Sequence, residues 1–400
     1  MTVANPDLLD QKYESISREH PSQRGASEPL PLPRDSTARL TSLDAFRGLT
    51  IAGMILVNSP GSWDYVYPPL RHAEWHGLTP TDLVFPFFLF IVGVSLCLSL
   101  VGGLERGAAR GELLRKALRR GAIIVGIGIL LQGIPHFDWA TWRIPGVLQR
   151  IGLVYVCAAA VVLTQSVRRQ IVICAALLIG YWALLALVPP PGSIAGDLSP
   201  EGNLGAHLDR AIFGTHLWKT TWDPEGLLGT LPATATALLG ALTGHWLRSG
   251  RERRELSGRM FVAGFGLMLA GVVWHPLFPI NKSLWTSSYV LFTAGAALEL
   301  FSVCFWLIDV EGVRRWARPA LAFGMNPLFI YAGSFLAEDL LSLDFATPEG
   351  PRSAQTWMYE HLFVPWAGPL NGSLAYAIVQ VLFWYAVAEL LYRKRIFVKV

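Results

Sequence analysis

From residue 45 onward the chain is built of long apolar blocks with almost no charge. A stretch such as 83–103 is ill suited to the surface of a soluble domain, and about 20 apolar residues suffice to cross a bilayer core of about 30 Å. Ten blocks can be marked: 45–60, 83–103, 119–134, 147–165, 170–188, 228–247, 259–275, 287–308, 318–340 and 373–391. Only 16% of the 400 residues are charged, against about 25% in an ordinary soluble domain. The expected fold is an all-α polytopic membrane protein, a bundle of about ten transmembrane helices of which the first and third are the weakest. Residues 1–40 are polar and proline-containing ("PSQRGASEPLPLPRDSTAR"). They read as a disordered cytoplasmic tail ahead of a membrane domain over 41–400. They hold no apolar core like that of a signal peptide.

Arginine and lysine set the orientation. "ERGAARGELLRKALRR" after the second block holds six basic residues, and "RSGRERRELSGR" after the sixth holds five. Arg168 and Arg169 follow the fourth block, Arg314, Arg315 and Arg318 follow the eighth, and "YRKRIFVKV" follows the tenth. The connections after the odd-numbered blocks hold only one or two each. Both termini are therefore expected in the cytoplasm, and the odd connections on the opposite side. In a bacterium that is the periplasmic side of the inner membrane.

Polar residues of interest gather at those outer connections. "RHAEWHGLTPTD" carries His72, His76 and Asp82. Histidine titrates near neutrality and suits a base or nucleophile, although on spacing alone both rings could be interfacial residues of a wet loop. Four residues apart, the two would share a face of a helix, but a metal site needs a third ligand and usually a supporting carboxylate. No HExxH is present, and Cys97, Cys157, Cys174 and Cys304 show no ligand spacing, so no metal is expected. Asp82 could cap the second helix from its first turn or orient an imidazole. Asn58 closes the first block, either as a cap or as a donor to a reacting oxygen.

Other polar groups mark the remaining loops. Asp44 and Arg47 can pair at i,i+3, and Arg47 could instead hold an anionic ligand. Arg143, Gln149 and Arg150 flank the fourth block as interface anchors or ligands. "WDPEG" offers Asp223 and Glu225, and "INKSLW" offers Asn281, Lys282 and Trp285. Asn326 beside Pro327 points to a break in the ninth helix. Glu299, deep in the eighth block, should face the bundle interior. Together these groups describe a solvated pocket opening outward, which suits a transporter, a receptor or an enzyme.

Seven ordered motifs carry a further resemblance: "RLTSLDAFRGLTIAGMILVN", "HAEWHGLTPTDLVFPFFLFIVG", "RIPGVLQRIG", "DPEGLLGT", "INKSLWTSSYV", "GMNPLFIY" and "LYRKRIF". Over residues 39–398 the chain resembles the heparan-α-glucosaminide N-acetyltransferase family and its bacterial relatives. The resemblance implies transfer of an acetyl group from acetyl-CoA to the amino group of a glucosamine-type sugar across a membrane. Its catalytic histidine maps onto His72 and its accompanying asparagine onto Asn58. The animal enzymes have asparagine where His76 stands, so His76 is not expected to be essential. Arg47, Arg143, Arg150, Lys282 and Asn326 become candidates for binding the acetyl-CoA donor. Asp82 becomes a candidate to orient the imidazole, and Asp223, Glu225 and Trp285 become candidates for binding the acceptor. The expected partners are the amino-sugar acceptor and membrane lipid, not nucleic acid, and the resemblance suggests a homodimer.

Overall fold

The computed structural model describes residues 40–134, 137–347 and 350–398. All of the expected N-terminal tail except Leu40 lies outside the described residues. The long helices are α1 (Thr41–Asn58), α2 (Val84–Glu105), α3 (Arg110–Gly133), α4 (Val147–Thr164) and α5 (Val167–Leu187). After a short α6 (Leu204–Phe213) come α7 (Thr230–Leu247), α8 (Arg253–Trp274) and α9 (Ser287–Phe305). The last part holds α10 (Arg318–Met325), α11 (Pro327–Leu341), α12 (Ala354–Met358) and α13 (Val364–Arg393). Each apolar block coincides with a helix or, for the ninth, with the pair α10–α11.

Among the described residues, six helical segments are long and apolar enough to cross a membrane, or seven if α10–α11 is one span. These six include α2, α4, α5, α8, α9 and α13. Helices α1, α3 and α7 fall short: Asp44 and Arg47 lower the hydropathy of α1, "RGELLRKALRR" that of α3, and Pro232, His245 and four threonines that of α7. The apolar windows of α5 and α8 are only 28% buried. Their outward faces carry Ile171, Val172, Val262, Phe265 and Val273. An apolar face of that extent suits lipid, not water.

Close helix contact relies on small residues, as is usual where lipid is the alternative neighbour. A Cβ on Gly93 of α2 would stand 1.8 Å from the Ala237 carbonyl oxygen of α7, and one on Gly240 would stand 2.1 Å from that of Phe90. Helices α8 and α9 pack in the same way. There the Glu299 carboxylate lies in the seam, where a Cβ on Gly264 would come within 2.9 Å of it.

The expected break is present. Asn326 (φ −129, ψ 52) interrupts the helix, Pro327 restarts it, and the two halves are bent by 74°. Two elements were not expected: α6 inside the fifth connection, and an antiparallel pair of strands, β1 (Asp344–Thr347) and β2 (Gly350–Ser353). Residues 71–79 form a loop and no helix, so His72 and His76 do not share a helix face. Pro68, Pro69 and Pro80 bracket the segment, and Gly77 sits at φ 112, which a helix cannot accommodate.

Candidate active site

The odd-numbered connections, over residues 71–83, 137–146, 188–229 and 275–286, fold onto one another. Gly77 N–H donates to the Ile280 carbonyl (2.8 Å) and Ile144 N–H to that of His216 (3.0 Å). The Trp75 indole donates to the Leu198 carbonyl at 2.8 Å. The opposite connections have their own ties. Arg248 pairs with Glu105, Arg254 with Glu311 (2.8 Å), and Arg318 with Glu389 (2.9 Å). These contacts group odd connections with odd and even with even.

At the outer end His72 and Asp82 meet. His72 Nδ1 lies 2.6 Å from Asp82 Oδ1. The His72 side chain is 43% exposed and that of Asp82 1%. The other carboxylate oxygen, Oδ2, accepts from the backbone N–H of Ala73 (3.1 Å) and of Thr79 (3.0 Å). Capping and orienting are therefore divided between the two oxygens of one side chain. The Asp82 carbonyl accepts from the Tyr289 hydroxyl at 2.6 Å, which ties the turn to α9. With Nδ1–H donating to a buried carboxylate, the lone pair of His72 sits on Nε2.

Lys282 is the third member. Its Nζ lies 3.1 Å from His72 Nδ1, 3.2 Å from Nε2 and 3.8 Å from Asp82 Oδ1. Burial pushes its ammonium below the ordinary lysine range, and the nearby carboxylates of Asp82 and Glu225 oppose that shift. Neighbouring Asn281 contacts His76 Nδ1 at 3.3 Å and accepts from Leu284 N–H at 2.8 Å.

A second polar cluster adjoins the first. Arg143 grips Asp223 with two hydrogen bonds (2.8 and 2.6 Å) and Glu225 with a third (2.5 Å). Burial disfavours the Arg143 charge, but the Asp223 hydrogen bond and the Glu225 charge outweigh it and hold the pKa above the ordinary value. Arg150 is buried, 1% exposed, with Nη2 donating to the Gly226 carbonyl at 2.7 Å. Its guanidinium lies over the Trp285 ring, 5.1 Å from the centroid. Trp285, which the sequence suggested for sugar contact, is itself fully buried between Phe85 and Tyr289.

The remaining candidates lie elsewhere. Arg47 bonds Asp44 and Ser95 at 2.8 Å each, so the expected i,i+3 pair is present. Asn326 takes the chain after α13, with Nδ2 donating to the Ile396 carbonyl (2.9 Å) and Oδ1 accepting from Val398 N–H (2.8 Å). Asn58 is exposed as the last residue of α1. Sequence reasoning missed Asp209, which sits on α6, is buried, and accepts from Leu227 N–H at 2.8 Å. The signal was "HLDR" facing the glycine of "DPEG". A Cβ on Gly226 would stand 1.8 Å from Asp209 Oδ2.

These features define a polytopic membrane protein with a histidine–aspartate–lysine constellation where its odd-numbered connections converge. The catalytic-domain profile of heparan-alpha-glucosaminide N-acetyltransferase matches residues 39–271, more than half of the chain, which therefore belongs to that family. Human heparan-alpha-glucosaminide N-acetyltransferase is 30% identical over 422 residues, covering 90% of this chain and 60% of the human protein. The mouse protein of the same name is 29% identical over 427 residues, covering 92% and 61%. The chain thus spans about 60% of the length of these curated relatives.

Proposed function

We propose that this protein is a transmembrane N-acetyltransferase that moves an acetyl group from acetyl-CoA to the amino group of a glucosamine-type sugar. The observation that carries the reading is the pairing of His72 with the buried Asp82. It fixes the ring and its tautomer and leaves Nε2 as the exposed basic atom. Nε2 either takes a proton from the attacking amine or attacks the thioester carbonyl itself. In the first route the amine adds to the thioester carbonyl, and the tetrahedral intermediate then collapses with cleavage of the C–S bond as the imidazolium gives its proton to the departing thiolate. In the second, acetyl-imidazole forms with loss of the thiolate, and the amine then takes the acetyl group. Base catalysis supplies about 10²–10⁴-fold. Lys282 is the nearest cation to the ring and is placed to stabilise the oxyanion of either tetrahedral intermediate. Asn58 is a second candidate for that role.

We place His72 on the periplasmic side of a bacterial inner membrane, because the basic residues of the even connections favour cytoplasmic termini if all ten blocks cross. Acetyl-CoA arises in the cytoplasm, so the pantetheine arm has to reach through the bundle, past the level of Arg47 and Asn326. The loop contacts support two opposite ends, and the basic residues of the even connections support which end faces inward. The test is acetyl transfer by detergent-purified protein over a panel of amino sugars, comparing wild type with His72→Ala. Transfer that vanishes in the variant supports the enzyme; flux of unmodified sugar in proteoliposomes, with no thiol release, points to a carrier.

A further inference from the structure

The loop from Asn58 to His72 is tied down by residues 295–311 positions further along the chain. Gln355, on α12, donates from Nε2 to the Pro60 carbonyl at 2.9 Å. The second hydrogen of the same amide goes to Glu338 Oε1 of α11, also at 2.9 Å. On α13 the Ser373 carbonyl accepts from Gly61 N–H at 3.2 Å. The Ser373 hydroxyl accepts from Ser62 N–H and donates to the Ser62 carbonyl, at 3.1 Å each. Asn371 Oδ1 takes the Tyr67 hydroxyl at 2.5 Å.

Packing closes the same joint. Ser59, Pro60 and Gly61 are buried. A Cβ on Gly61 would stand 2.6 Å from the Tyr359 ring and 3.1 Å from Ser373 Cα. Nearer His72, Arg71 donates to the carbonyls of Val66 (2.8 Å) and Asp64 (3.1 Å). None of these bonds is needed to end α1, because Ser59 N–H already closes it on the Ile55 carbonyl at 3.1 Å. They fix instead the direction in which the chain leaves the helix. Asn58 is exposed on that last turn, so its amide is aimed by the backbone beneath it. The Gln355 amide is in turn braced by a carboxylate, a stronger acceptor than a neutral oxygen.

We infer that Gln355 and Ser373 are positioning residues for the transfer reaction. They clamp the turn after Asn58 and so fix the Asn58 amide relative to His72, while Glu338 holds Gln355 in place. The inference rests on the acetyltransferase reading and gives α11, α12 and α13 a part in it.

The experiment measures kcat and both KM values in full-length protein for Gln355→Ala and Ser373→Ala, each alone and combined with Asn58→Ala. Loss of the clamp is expected to lower kcat about tenfold or more, as for a small misplacement of a reacting group, with both KM values within about twofold. In the Asn58→Ala background the same substitutions should lower kcat by less than about twofold, since a residue that acts through Asn58 has nothing left to position. Losses that multiply in both backgrounds overturn the inference, as does native kcat in both single variants or in Asn58→Ala. Melting in detergent identifies a variant that fails to fold; Ser373→Ala keeps the backbone bond to Gly61 and is the milder change. Amide hydrogen exchange reads the clamp without turnover: residues 61–62 should exchange at least about tenfold faster in the variants. Wild-type protein that transfers no acetyl group refutes the acetyltransferase reading. Unchanged exchange in both variants refutes the clamp, whatever the activity.

Discussion

Replacing Asp82 with asparagine should invert the His72 tautomer while sparing the fold. In the native turn Oδ2 accepts from two backbone N–H groups, those of Ala73 and Thr79, and Oδ1 faces His72 Nδ1. An amide can satisfy both backbone donors only by placing its oxygen at the Oδ2 position. Its NH₂ then points at Nδ1, which has to become an acceptor, and the ring proton moves to Nε2. The atom that should take up a proton or an acetyl group loses its lone pair. Where a carboxylate positions a catalytic histidine, this substitution costs about 10⁴ in rate. Here Lys282 Nζ, 3.2 Å from Nε2, opposes an N–H at that position, so a loss of about 10³–10⁴ is expected. That equals about 4–5.5 kcal/mol at 1.36 kcal/mol per tenfold. Thiol release from acetyl-CoA with saturating acceptor reads kcat, and thermal unfolding in detergent checks the fold. A variant within tenfold of wild-type kcat would refute the positioning role of Asp82.

Three other substitutions probe the surroundings. Asp223→Ala strips the buried Arg143 of its bidentate partner and should cost about 3 kcal/mol of stability, visible as a lowered detergent melting temperature. Gly226→Ala forces a Cβ to 1.8 Å from Asp209 Oδ2. The Asp209 carboxylate or the loop has to shift, which breaks the contact with Leu227 N–H, so the detergent melting temperature should fall. Burial raises the Asp209 carboxyl to about 6 from an ordinary 3.8. The native state therefore holds this proton where the unfolded chain has lost it. Stability should be greatest below about pH 4 and fall by about 2–3 kcal/mol as pH rises through 6. Asp209→Asn should abolish that component in melts taken from pH 4 to 7.

The helices were legible because crossing a bilayer is a matter of local composition, and each apolar block folds as one. The break at Asn326–Pro327 and the Asp44–Arg47 pair were legible for the same local reason. The grip of Arg143 on Asp223 spans 80 residues of sequence, and no periodicity encodes such a contact. Trp285 shows the opposite failure. An aromatic residue in an outer loop suggests a surface platform, yet the chain turns through φ 54 at that residue and buries the ring. The spacing of His72 and His76 suggested a shared face, but prolines and Gly77 keep the loop extended, and His72 finds Asp82 instead.

The account stands on the His72 ring as the group that handles the acetyl moiety. The most direct measurement is thiol release from acetyl-CoA by His72→Ala, with and without added imidazole. The expected result is a rate lower by about 10²–10⁴, partly restored by imidazole entering the vacated, solvent-open position. Native turnover by the variant without imidazole would contradict it.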